Sequence, residues 1–172
     1  MGKPPRTPYV PDLPDDPAPV ADLGDLSDVV VDGVDWANQR SVRLMMRRVE
    51  LRLCRLTGTE LAEASLTDVT FTECKLDLVG LRFAKLQRVV FRDCRMGECD
   101  FYETSLKDVL FERCDLGEAS FAASRVQRVE MQGCDLAGLG GVEALRTVRM
   151  PWNDVLANAP LFALAVGIEI ID

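Results

Sequence analysis

A large apolar side chain stands at every fifth position from Leu51 to Leu136, 18 consecutive places without an exception. The series begins Leu51, Leu56, Leu61, Leu66, Phe71 and ends Phe121, Val126, Met131, Leu136. A period of five matches neither a helix at 3.6 residues nor a flat strand at two. It suits a chain that takes a short extended step, with residues i−2 and i sharing the inward face, and then turns a corner. The i−2 places hold smaller side chains such as Cys54, Thr59, Ala64, Val69 and Cys74. The other three places in each pentad are rich in Arg, Lys, Asp, Glu, Thr and Gln, as an outer surface requires.

A second period sets the number of sides. Val49, Val69, Val89, Val109 and Val129 recur every 20 residues, as do Cys54, Cys74, Cys94, Cys114 and Cys134, and as do Phe71, Phe91 and Phe111. Twenty residues are four pentads, so one coil has four sides and like residues stack in columns. Coils pairing at the usual strand spacing predict an all-β rod roughly 22 Å long.

The small-polar-Leu/Phe-polar-polar pattern resembles the pentapeptide-repeat family, and its bacterial members in particular. The resemblance covers residues 44–139 and implies a right-handed quadrilateral β-helix, the hand coming from the resemblance alone. It divides the chain into a Pro-rich acidic arm (1–27), the β-helix (28–139, strictly regular from about 44) and a short C-terminal helical cap (140–172).

The ends of a solenoid need covering. Before the regular zone Gln39 and Ser41 break the phase, which predicts an imperfect first coil with a bulge or small loop over Asn38–Ser41, and Trp36 as a lid. Residues 3–19 carry seven prolines, Pro4, Pro5, Pro8, Pro11, Pro14, Pro17 and Pro19. They predict an extended arm of polyproline character, either solvated or laid along the rod or a neighbouring subunit. Past Gly138, Asn153 is read as an N-cap, Pro160 as the first turn of a second helix and Gly167 as its stop. Ile168–Ile171 reads as a short strand or apolar plug over the core.

Catalytic chemistry finds little to work with. The chain has no histidine, hence neither the commonest general base nor the commonest metal ligand. The five column cysteines, with Cys99 on the next side, read as small inward-facing core residues and not as disulfides or a zinc site. Carboxylates such as Glu60, Glu63, Asp100 and Glu103 lie outward. No phosphate-binding glycine motif is present. The expectation is a non-enzyme without catalytic residues, metal or cofactor. No apolar run is long enough to span a membrane, and Met1–Arg6 lacks the apolar region of a secretion signal. A cytoplasmic protein is expected.

The formal charge of −8 argues against direct binding to nucleic acid. Half or more of that charge lies outside the rod. One side carries Lys85, Arg88, Lys107, Arg125 and Arg128 against Asp68 and Asp108, and its neighbour is acidic. This basic side, with Trp152 on the cap, is the expected interaction surface. Two functions follow. One is a scaffold or adaptor for an unknown protein partner, with a homodimer formed through the C-terminal segment. The other comes from the resemblance: a distant likeness to the quinolone-resistance members, which imitate duplex DNA and occupy DNA gyrase or a related topoisomerase.

Overall fold

The computed structural model describes residues 3–10, 12, 20 and 22–171. Six strands run parallel in one sheet in chain order: β1 (Leu26–Asp32), β2 (Met45–Arg52), β3 (Ser65–Thr72), β4 (Lys85–Arg92), β5 (Ser105–Glu112) and β6 (Arg125–Gln132). Every pairing is offset by 20 residues, as in Val49 against Val69, Val69 against Val89 and Phe71 against Phe91. The other two sides carry shorter bridges with the same offset, such as Arg55 to Lys75 and Glu60 to Gly80. The protein is therefore an all-β, four-sided parallel solenoid.

The corners are made by a backbone conformation that side chains ordinarily resist. Among the described residues nineteen non-glycines have positive φ, including Leu53 (54°), Asp68 (58°), Phe83 (60°) and Arg113 (52°). All occupy the place two after a core-facing position, where Gly33, Gly58, Gly133 and Gly138 also stand. A left-handed residue costs about 1 kcal/mol or more. The cost is offset where the corner N–H reaches a carbonyl of the next coil, as Leu53 N–H does to Thr72 O at 3.0 Å.

This geometry runs unbroken through the first coil. Asn38 (57°) and Arg43 (64°) turn the same corners, and Arg40 bridges Glu60 in the common register. The bulge expected over Asn38–Ser41 is absent. Gln39 and Ser41 take core-facing places at the open end of the rod, where a polar side chain is still reached by water. Trp36 is fully buried at the head of the column Leu56, Leu76, Met96, Leu116, and Val20 and Leu23 pack against the same core.

Inside, four columns of large side chains meet. Phe71, Phe91 and Phe111 stack nearly parallel with centroids 4.9 and 5.1 Å apart, and Phe101 stacks on Phe121 at 4.5 Å. Phe111 also meets Phe101 and Phe121 edge to face, each at 6.0 Å. The small i−2 side chains close the corners. Thr59 Oγ1 donates to Trp36 O at 2.7 Å, and Thr104 Oγ1 to Leu81 O at 2.6 Å. Ser124, one coil beyond Thr104, is buried with a hydroxyl that finds no partner. The same column holds Ala64 and Ala84, so Ser124→Ala should fit without a void. Removing the unpaired hydroxyl is expected to raise stability by about 1 kcal/mol in urea denaturation.

The far end is closed by the chain crossing under the last coil. At Gly141 (φ 71°) the backbone passes so close that a Cβ would sit 2.2 Å from Ala122 N. A 3-10 turn (Val142–Leu145) buries Leu145, and Arg149 then pairs with β6, accepting from Met131 N–H and donating to Val129 O, both at 3.0 Å.

Two short helices follow, α1 (Trp152–Ala157) and α2 (Ala159–Ala165). Asn153 lies inside α1 and is not its N-cap; Pro151 precedes the helix, and Asp154 instead reaches back to accept from Gly133 N–H at 2.6 Å. Pro160 does lie in the first turn of α2. Gly167 (φ 80°) ends it, with Gly167 N–H on Leu164 O and Ile168 N–H on Ala163 O. Ile168–Ile171 forms neither strand nor plug: it is exposed, because the turn and Arg149 segment already cover the core.

Candidate functional site

The corner that ends the first side of each coil carries Asp28, Arg48, Asp68, Arg88, Asp108 and Arg128, strictly alternating. Each carboxylate takes two hydrogen bonds from the arginine one coil on. Arg88 Nε and Nη2 reach Asp68 at 2.5 and 2.7 Å, and Arg128 reaches Asp108 at 2.5 and 2.6 Å. Arg48 pairs with Asp28 in the same fork. Asp68 and Asp108 are buried, 5 % and 1 % exposed.

The described part of the arm lies along this ladder. Asp12 N–H donates to Asp28 at 3.2 Å, Tyr9 N–H to Asp68 at 3.0 Å and Arg6 N–H to Asp108 at 3.1 Å. The arm therefore runs antiparallel to the growth of the rod, one amide for every two coils. Pro5 and Pro8 are half-buried while Arg6, Thr7, Tyr9 and Val10 are exposed. The Arg88 guanidinium sits over the Tyr9 ring at 5.4 Å. Pro11, Pro14, Pro17 and Pro19 lie outside the described residues.

The electrostatics follow from these contacts. The Arg48 fork is the main reason that the Asp28 carboxyl lies far below its usual range. At Asp108 the Arg128 hydrogen bonds dominate, burial opposes them, and the Arg6 amide adds to the lowering. At Asp68 burial is the largest influence and works upward, but the bonds from Arg88 and Tyr9 N–H together outweigh it, so this carboxyl too is lowered. All three remain acceptors at neutral pH.

The basic residues singled out in the sequence separate into two environments. Lys85, Lys107 and Arg125 are exposed on the side next to the ladder, while Arg88 and Arg128 are folded back onto their carboxylates. Trp152, 70 % exposed, lies on the cap. With it Leu156, Leu164, Val166, Ile168, Ile170 and Ile171 are exposed, and neither cap helix buries a residue. Between the two cap helices and the 142–150 segment runs an open groove of about 730 Å³, lined by Leu145, Val148, Met150, Val155 and Phe162.

The Val column (Val49, Val69, Val89, Val109, Val129) is fully buried, and so are Cys54, Cys74, Cys94 and Cys114, with Cys134 half-buried at the rod's end. Each column thiol points at the carbonyl 23 residues earlier, for example Cys114 Sγ to Phe91 O at 3.4 Å. Burial pushes the Cys99 thiol up to about 12. Its contacts with the Cys114 and Cys74 thiols, then burial, hold Cys94 far above the ordinary thiol range. A chromogenic thiol reagent is expected to modify Cys134 first in the native protein, and the other five only as fast as it unfolds. Among the described residues no His, Cys, Asp and Glu cluster could hold a metal ion, and no helix is long and apolar enough to cross a membrane.

A parallel four-sided solenoid with a core place at every fifth residue defines a class of repeat scaffold. The chain matches the pentapeptide repeat region over residues 44–121. Among solved structures it is similar to QnrB1, a plasmid-mediated fluoroquinolone resistance protein, at 15% identity over 83% of this chain and 90% of that chain, TM-score 0.39. A pentapeptide repeat protein from the Arabidopsis thaliana thylakoid lumen is 18% identical over 75% of this chain and 73% of that chain, TM-score 0.36. HetL of the cyanobacterium Nostoc, involved in heterocyst differentiation regulation, is 18% identical over 76% and 74%, TM-score 0.27. No curated protein matches the chain.

Proposed function

We propose that the protein is a non-enzymatic interaction scaffold of the cytoplasm that pairs with a second copy of itself through the C-terminal cap. The observation that carries this is the cap's exposed apolar surface, Trp152, Leu156, Leu164, Val166, Ile168, Ile170 and Ile171. So many large apolar side chains exposed within one short segment mark an association site. Residues 151–171 contain only Asp154 and Glu169 as charged groups, and Asp154 is engaged by Gly133. A surface with so little charge to match is suited to meeting its own copy about a twofold axis. Two rods joined at their ends would then offer their flanks to further protein partners.

Charge speaks against the topoisomerase reading. An imitation of DNA needs unpaired surface anions, yet many of the rod's carboxylates are met by arginines of the neighbouring coil, as in Arg43–Glu63 (2.9 Å), Arg92–Glu112 (2.7 Å) and Arg113–Asp93 (2.7 Å). Sedimentation of the full chain tests the proposal: a dimer of the 19.1 kDa chain is expected, converted to monomer by Trp152→Glu with Leu164→Glu. A wild-type monomer at tens of micromolar would overturn it. Inhibition of gyrase supercoiling by micromolar protein would favour the topoisomerase reading instead.

A further inference from the structure

The arm and the Asp–Arg ladder are matched in pitch. A polyproline II chain advances about 3.1 Å per residue, so three residues span about 9.3 Å. Two coils span about 9.6 Å. Every third amide of the arm therefore comes level with every second coil, and the ladder places its acceptors on every second coil: Asp28, Asp68 and Asp108. The intervening arginines fix the carboxylates from behind. A polyproline helix also presents the same face every third residue, and Pro5 and Pro8 are the half-buried ones. In the next column Val90 points outward from β4, paired with Leu110, yet is only 8 % exposed.

We propose that this corner is a binding site for polyproline II segments with proline at every third residue, that the chain's own arm is its resident ligand, and that a proline-rich segment of another protein competes for it. The contacts used are backbone N–H groups and proline rings, which any Pro-x-x repeat supplies. Apart from the stacking of Tyr9 under Arg88, little is particular to the arm. Such segments bind with little ordering cost because the conformation is already formed. The resident arm holds its place through tethering, which supplies a high effective concentration, and so acts as a brake on the site. The surface lies on the flank of the rod and owes nothing to the cap.

The test uses full-length protein and a fluorescein-labelled peptide of residues 3–12. Pro5→Gly with Pro8→Gly should loosen the arm without touching the rod. The peptide is expected to bind this variant at least tenfold tighter than wild type, and a peptide with the same two glycines should not bind. In the wild type the amides of Arg6 and Tyr9 should exchange with solvent at least tenfold more slowly than those of Thr7 and Val10. Adding Asp68→Asn to the loosened variant should weaken peptide binding at least tenfold, with circular dichroism and the melting curve reporting that the rod is intact. The proposal is overturned by absence of saturable binding to the loosened variant at millimolar peptide, by binding indifferent to Asp68→Asn in a folded rod, or by uniform exchange along the arm.

Discussion

Phe111→Ala is expected to cost about 4 kcal/mol of unfolding free energy, among the largest losses a single truncation in this chain should produce. The ring lies face to face with Phe91 and edge-on to both Phe101 and Phe121, so it joins the two aromatic columns. It is fully buried, and the coils on either side are fixed by parallel ladders that cannot collapse into the gap. Position matters as much as size. In a solenoid each coil touches only its neighbours, so a weakened middle coil uncouples the two halves. Phe111→Leu should cost much less, and Phe111→Asp should leave no cooperative transition, because an unpaired charge cannot be kept there. Urea denaturation followed by circular dichroism checks all three. A midpoint unchanged in Phe111→Ala would refute the assignment of this ring to the centre of the core.

Asp108→Asn should cost about 2 kcal/mol, the range for buried hydrogen bonds to a charged group. The carboxylate is 1 % exposed and receives both Arg128 nitrogens and the Arg6 amide. Asparagine keeps the shape and tolerates the left-handed corner at φ 57°, so the substitution isolates the charge. The pH dependence has a definite sign. The folded-state carboxyl lies below its ordinary value, chiefly through the Arg128 bonds. Its contribution is then fully present above the unfolded value of about 4 and is lost as the pH falls through the folded value. Wild type and variant should differ in urea midpoint at pH 7 and draw together as the pH falls below the unfolded value of about 4. Other lowered carboxyls, Asp93 and Glu112 among them, titrate in both proteins and cancel from the difference.

The period of the core was readable because each large inward place must be apolar in every regular coil, while the smaller i−2 places also admit a Thr or Ser. The first coil was harder to read. Gln39 and Ser41 violate the pattern, but at the open end of a rod a core-facing place borders water, and the corners at Asn38 and Arg43 hold regardless. The arm's docking was written in two series that look unrelated in the chain: prolines at 5 and 8, and the Asp–Arg alternation from 28 to 128. They meet only through the near-equality of three polyproline steps and two coil heights, and the bonds themselves use backbone amides that every sequence has. Charge counted by side missed it for the same reason, since Arg88 and Arg128 cancel against Asp68 and Asp108 at the corner. At the cap Asn153 looked like a helix start, but Pro151 sets the entry and Asp154 is drawn to Gly133.

The corner alternation also sets the unit in which such a rod could lengthen. Duplicating one coil, 20 residues, would leave every core column intact and every phenylalanine with a like neighbour. At the corner it would place aspartate beside aspartate, or arginine beside arginine, and shift the next acceptor out of step with the arm. Duplicating two coils preserves both patterns. Gene duplication can extend the bare scaffold in steps of 20 residues, but a descendant that keeps its arm seated can grow only in steps of 40.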